Sequence, residues 1–165
     1  MTACTKRSTA QGSPRKPFSS FSPDGRTVAF TRVVDRETPT VVGGKPREEF
    51  HGSSIWIVDL LTGAQRQLTP WRDGLNYAAS SFSPDGTTLL ATHEDGELLN
   101  EAEPVALAID GSGSRRLLND GFSPVYSPDG SKIALVRYIE EYGEDRGESA
   151  DLYVVNADGT GVRRL

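Results

Sequence analysis

Few side chains in this 165-residue sequence have a chemistry that goes beyond packing. His51 and His93 are its two histidines, and a zinc site would need both, plus a carboxylate, at one point. The acidic residues Glu94, Asp95, Glu97, Glu101 and Glu103 lie close together, yet their spacing does not match the ligand positions of a calcium loop. No G-x-S-x-G nucleophile elbow, H-E-x-x-H pair, phosphate-binding Walker loop or paired cysteine occurs. The run GSGS at 111–114 follows an apolar segment, and no helical pattern follows it to present a nucleophile or a phosphate, so it reads as a turn. The chain itself is therefore expected to be non-catalytic, with no metal and no cofactor. Trp71, Arg72, Tyr77, Tyr138 and Tyr142 remain, and these are types that anchor protein interfaces. Trp71 has a second reading, as a ring packed down on the scaffold.

The bulk properties narrow the partner. A net charge of −5 argues against nucleic acid, which needs a clustered basic face. The basic stretch TKRSTAQGSPRK at 5–16 reads as a solvated tail. No apolar run approaches the roughly 18 residues that a membrane-spanning helix requires. A single cysteine, Cys4, excludes an intrachain disulfide. TAC at 2–4 resembles the end of a lipoprotein processing site, but the apolar region that must precede one is missing, so the chain is either cytoplasmic or led by a signal upstream.

The elements that position these residues come from an internal repeat. SFSPDGRTVAF at 20–30 returns as SFSPDGTTLLAT at 81–92 and as VYSPDGSKIALV at 125–136. Each copy is followed by an apolar run, SIWIVDL at 54–60, PVALAID at 104–110 or DLYVVNA at 151–157. A third landmark then closes each copy: GAQRQLT at 63–69, GSRRLL at 113–118 or GVRRL at 161–165. In SPDG the ring of Pro23, Pro84 or Pro128 presets φ for a type I turn. Gly25, Gly86 or Gly130 supplies the positive φ that follows. The carboxylate of Asp24, Asp85 or Asp129 accepts a backbone N–H within the turn, so these aspartates are structural.

The flanking segments read as strands. Val28 and Phe30, like Ile133 and Leu135, alternate onto one face, while IWIV, VALAI and LYVV are nearly continuous apolar runs suited to strands buried on both faces. Each copy is thus a four-stranded antiparallel meander, and meanders of about 40–45 residues are the unit of propeller folds. The order FSPDG, then hydrophobic-aromatic-hydrophobic-Val-Asp/Asn, then Arg-x-Leu-Thr resembles the TolB-type, WD-like β-propeller repeat over about residues 18–165. The second copy departs from it at TTLLAT, and the third ends at RRL without the Thr.

The expected fold is all-β: a tail over 1–17, then blades over 18–69, 70–118 and 119–165, half of a six-bladed ring. Three blades do not close, so the chain is expected either to be a fragment of a longer protein or to pair with a second copy around a two-fold axis. In a meander the A–B and C–D turns share one end, and the B–C loops share the other with the D–A link. Long B–C loops are expected at about 32–53, 93–103 and 137–150, joined on that face by the link TPWRDGLNY at 69–77. That face carries His51, Trp71, Arg72, Tyr77, His93, Tyr138 and Tyr142, and EEYGEDRGE at 140–148 makes it negative. Loops on a rigid scaffold are where binding resides. The resemblance implies a scaffold that binds protein partners in the bacterial envelope, hence a periplasmic location. The alternative it leaves open is the gating propeller of a prolyl-oligopeptidase-type hydrolase whose catalytic domain lies outside the chain.

Overall fold

A computed structural model describes residues 18–37, 49–95, 102–140 and 148–165. These residues form three four-stranded antiparallel sheets. The first holds β1 (Ser19–Phe21), β2 (Thr27–Glu37), β3 (Glu49–Asp59) and β4 (Gln65–Gln67). The second holds β5 (Leu75–Phe82), β6 (Thr88–Asp95), β7 (Glu103–Ala108) and β8 (Ser114–Arg116). The third holds β9 (Phe122–Tyr126), β10 (Lys132–Glu140), β11 (Glu148–Asn156) and β12 (Arg163–Arg164). Every strand pairs with its neighbour in sequence, so each sheet is a plain meander.

The SPDG turn starts each meander, and its serine is the hub that sequence reasoning missed. Gly25, Gly86 and Gly130 have φ of 69°, 73° and 73°. Their N–H groups each donate to the carbonyl of the turn's serine at 2.9 Å. The hydroxyls of Ser22, Ser83 and Ser127 each lie 2.6 Å from the turn aspartate's Oδ1. The same hydroxyls accept the N–H groups of Thr27, Thr88 and Lys132 at 2.9–3.0 Å. Each aspartate also accepts the N–H two residues on at 3.0 Å, as the turn chemistry predicts.

The B and C strands run much further than expected. The β2–β3 register is continuous from Thr27↔Asp59 to Glu37↔Glu49. That of β10–β11 runs from Lys132↔Asn156 to Glu140↔Glu148. A hairpin ladder once begun gains a backbone pair with each added residue, so 32–37, 49–53, 137–140 and 148–150 are strand rather than loop. His51, His93 and Tyr138 accordingly stand on β3, β6 and β10, and Tyr77 stands on β5 instead of in a link.

The sheets stack face to face around two apolar clusters. Ala29 and Ile55 of the first sheet pack with Ala79, Phe82, Leu89 and Ala91 of the second. On the other side of the second sheet, Leu90 and Ala106 meet Ile133, Leu135 and Val155 of the third. The middle sheet's C strand is buried on both faces from Pro104 to Leu107, and β3 is so over Gly52–Ile55 but not along the rest of its apolar run. In the first sheet Trp56 and Val58 are half-buried, and in the third Leu152 is exposed. The continuous apolar runs of β3 and β11 therefore present one face that no sheet among the described residues covers.

Candidate functional site

The end of the stack opposite the SPDG turns gathers most of the singled-out side chains between the first and second sheets. Gly52, inside β3, is buried, and a Cβ there would lie 2.6 Å from the Arg72 carbonyl and 2.8 Å from Trp71 Nε1. A glycine inside a strand marks such a close approach. It lets the half-buried indole of Trp71 pack down on the first sheet. The Arg72 carbonyl in turn accepts the Leu75 N–H at 3.2 Å, which closes the link into β5, while the Arg72 side chain is exposed. The Ser53 hydroxyl bridges to the second sheet, accepting the Tyr77 N–H and approaching the Tyr77 carbonyl, both at 2.9 Å.

Tyr77 and His93 are directly opposite each other on β5 and β6, and their rings stack with centroids 4.7 Å apart. Burial raises the Tyr77 hydroxyl above its ordinary pKa, with Arg72 opposing and Asp95 adding to the shift. His93 Nδ1 lies 3.7 Å from Glu103 Oε2, and the other Glu103 oxygen accepts a hydrogen bond from Arg116 at 2.7 Å. Glu103 is thus an anchored carboxylate and not part of a free acidic field. Tyr138 is set apart from this group, about half exposed on the third sheet and stacked on Phe122 at 4.7 Å. Beside it Arg137 grips Asp120 Oδ2 through Nε and Nη2, at 2.9 and 2.6 Å, and stacks over Tyr153. The side chain of His51, together with Tyr142, Glu97, Glu101 and residues 141–147, lies outside the described residues.

The arrangement places a packed-down indole, two stacked rings, the exposed Arg72 and a paired Glu103 at one end of two joined sheets. Among the described residues, His93 hydrogen-bonds no serine hydroxyl, and no three His, Cys, Asp or Glu side chains converge as metal ligands. Among the described residues no helix is long and apolar enough to cross a membrane. At the opposite end, a cavity of about 280 Å³ opens between the SPDG turns of the first two sheets, lined by Asp24, Phe82, Asp85 and Ile109 among others. Their aspartates are tied into the turns, with carboxyl pKa values held down by hydrogen bonds from Ser22 and Ser83 first and by backbone N–H groups next.

No protein-family model matches the chain. Among solved structures, TolB from Acinetobacter baumannii is similar with a TM-score of 0.60 and 22% identity, over 89% of this chain and 31% of that one. The acylaminoacyl peptidase of Pyrococcus horikoshii matches with a TM-score of 0.57 and 14% identity, over 92% of this chain and 25% of that one. The β-propeller domain of the Trilobed protease from Pyrococcus furiosus matches with a TM-score of 0.55 and 17% identity, over 90% of this chain and 41% of that one. This chain therefore spans well under half the length of each. At these identities the likeness is one of fold, and the three stacked meanders have the fold of β-propeller blades.

Proposed function

We propose that the chain is a non-catalytic β-propeller scaffold that binds a protein partner, in the manner of TolB-like propellers of the bacterial envelope. The observation that carries this reading is the end of the stack where Trp71, Arg72, Tyr77 and His93 meet between two rigidly joined sheets. Aromatic and arginine side chains on a preorganised surface are the usual anchors of protein interfaces. The experiment is cross-linking mass spectrometry of the chain with its co-purifying partners. Cross-links should fall around Arg72 and be lost in an Arg72→Ala variant. Cross-links confined to the SPDG end would overturn the reading.

A second reading is favoured by the likeness to the Pyrococcus peptidase and to the protease propeller domain. In it the chain is the gating portion of a serine hydrolase whose catalytic residues lie outside these 165 residues. The reading frame on either side of the chain separates the two. A G-x-S-x-G followed by Asp and His supports the hydrolase, and further SPDG repeats alone support the scaffold.

A further inference from the structure

The two joints between sheets are built from the same parts, all pointing the same way along the chain. At the first joint, the Arg66 guanidinium donates to the Ile109 carbonyl in the next sheet's C–D turn. At the second, Arg115 donates to the Asp158 and Ala157 carbonyls at 3.0 and 3.1 Å. The Pro23 ring lies 3.6 Å from where a Cβ on Gly86 would sit, and the Pro84 ring lies 3.3 Å from the same point on Gly130. The Thr31 hydroxyl accepts the Ala79 N–H at 3.0 Å, and the Thr92 hydroxyl accepts the Ser123 N–H at 3.0 Å. The first two sheets thus have a forward side, with Arg, Pro and Thr, and the last two a receiving side, with a turn carbonyl, a Gly and an A-strand N–H.

The chain carries an unused copy of each side. On the third sheet Arg163 aligns with Arg66 and Arg115, and it is exposed with no side-chain hydrogen bond or ion pair among the described residues. Pro128 is exposed in the SPDG turn of the same sheet, and Val125 and Leu152 leave an apolar face 49% and 47% exposed. On the first sheet the Leu60 carbonyl stands where those of Ile109 and Ala157 do. Gly25 has open space where a Cβ would sit, and Phe21 is 67% exposed on the bare face.

We infer that the forward side of the third sheet docks on the receiving side of the first sheet of a second copy, and the reverse, closing a two-fold ring. Both halves of the joint are present in one chain, so a second copy satisfies both bare faces at once. Propeller rings hold about 4–8 blades. Two copies of three sheets give six, whereas one copy falls short and three copies exceed the range. Closed two-fold assemblies are also the commonest oligomers. The seam differs from the internal joints at one point, because Val136 stands where Thr31 and Thr92 do. Lacking that hydroxyl, it is the weakest of the joints, and the dimer should be reversible.

The test is the mass of the 165-residue chain by light scattering across a dilution series. The expected result is a single species at twice 17.9 kDa that dissociates on dilution. Arg163→Glu, on an exposed strand where folding is insensitive to it, should weaken the dimer by about tenfold or more. Val136→Thr should tighten it by supplying the missing acceptor. A monomer up to about 100 µM would overturn the inference, since association follows mass action. So would open-ended aggregates, or a dimer indifferent to both substitutions. The faces involved are separate from the Trp71–His93 end, so this result and the partner-binding result stand or fall independently.

Discussion

At the scale of single residues, each SPDG turn is a small hydrogen-bonded network whose parts have separable costs. Gly86 sits at φ 73°, a region that β-branched residues avoid. Gly86→Val is expected to lower stability by about 1–3 kcal/mol, read as a shift in urea midpoint. The carboxyl of Asp129 is held at about 2 instead of the ordinary 3.8, first by the Ser127 hydroxyl and then by the Ser131 N–H and hydroxyl. A depressed carboxyl stabilises the fold above its unfolded pKa and loses that contribution as pH falls towards the folded one. The loss therefore occurs between about pH 4 and pH 2, and in Asp129→Asn the fall in urea midpoint over that window should be smaller than in the parent. An unchanged profile would show that this carboxyl is not a source of acid sensitivity. The proline, aspartate and glycine of the turn were legible because their roles are local. The serine stood in the same four letters, but its role as hub depends on a partner across the hairpin.

At the scale of elements, the strands and their order could be read from turn chemistry and alternation, whereas their lengths could not. Nothing in TRVVDRE or RYIE says where pairing stops; that depends on the opposite strand keeping register, as β3 and β11 do. The joints between sheets were illegible for a related reason. Arg66 and Arg115 look like ordinary surface arginines until their carbonyl acceptors, 42 or 43 residues further on, are in place. Gly52 is a partial exception, since a glycine within a strand signals a close approach even when the approaching Trp71 is unknown. The threonine hooks allow a direct test. Thr31→Val keeps shape and removes the acceptor of the buried Ala79 N–H. It should cost about 1–3 kcal/mol in denaturant unfolding, the penalty for an unsatisfied buried donor.

At the scale of the whole molecule, stability is distributed unevenly because each sheet touches only its neighbours. Leu90 is fully buried between the second and third sheets, whereas Val28, on the bare face of the first, is half-buried. Leu90→Ala should cost about 2–5 kcal/mol, and Val28→Ala distinctly less, when their urea midpoints are compared. Equal losses would mean that the first sheet's bare face is covered in solution. The candidate site follows the same unevenness. Trp71, Tyr77 and His93 were singled out one by one, by residue type and position, yet only the stacking of two particular sheets brings them together and leaves Tyr138 apart.

Because every joint hands its arginine, proline and hydroxyl forward to the next sheet, the stack has a direction, as a row of identical bricks does when each has its peg on the same side. A tandem duplication of the DNA encoding one repeat would insert a blade whose two faces already fit their new neighbours. An inverted or shuffled segment would bring peg to peg. Growth or loss of blades by whole-repeat copying is therefore the one large rearrangement this architecture can absorb without inventing a new surface.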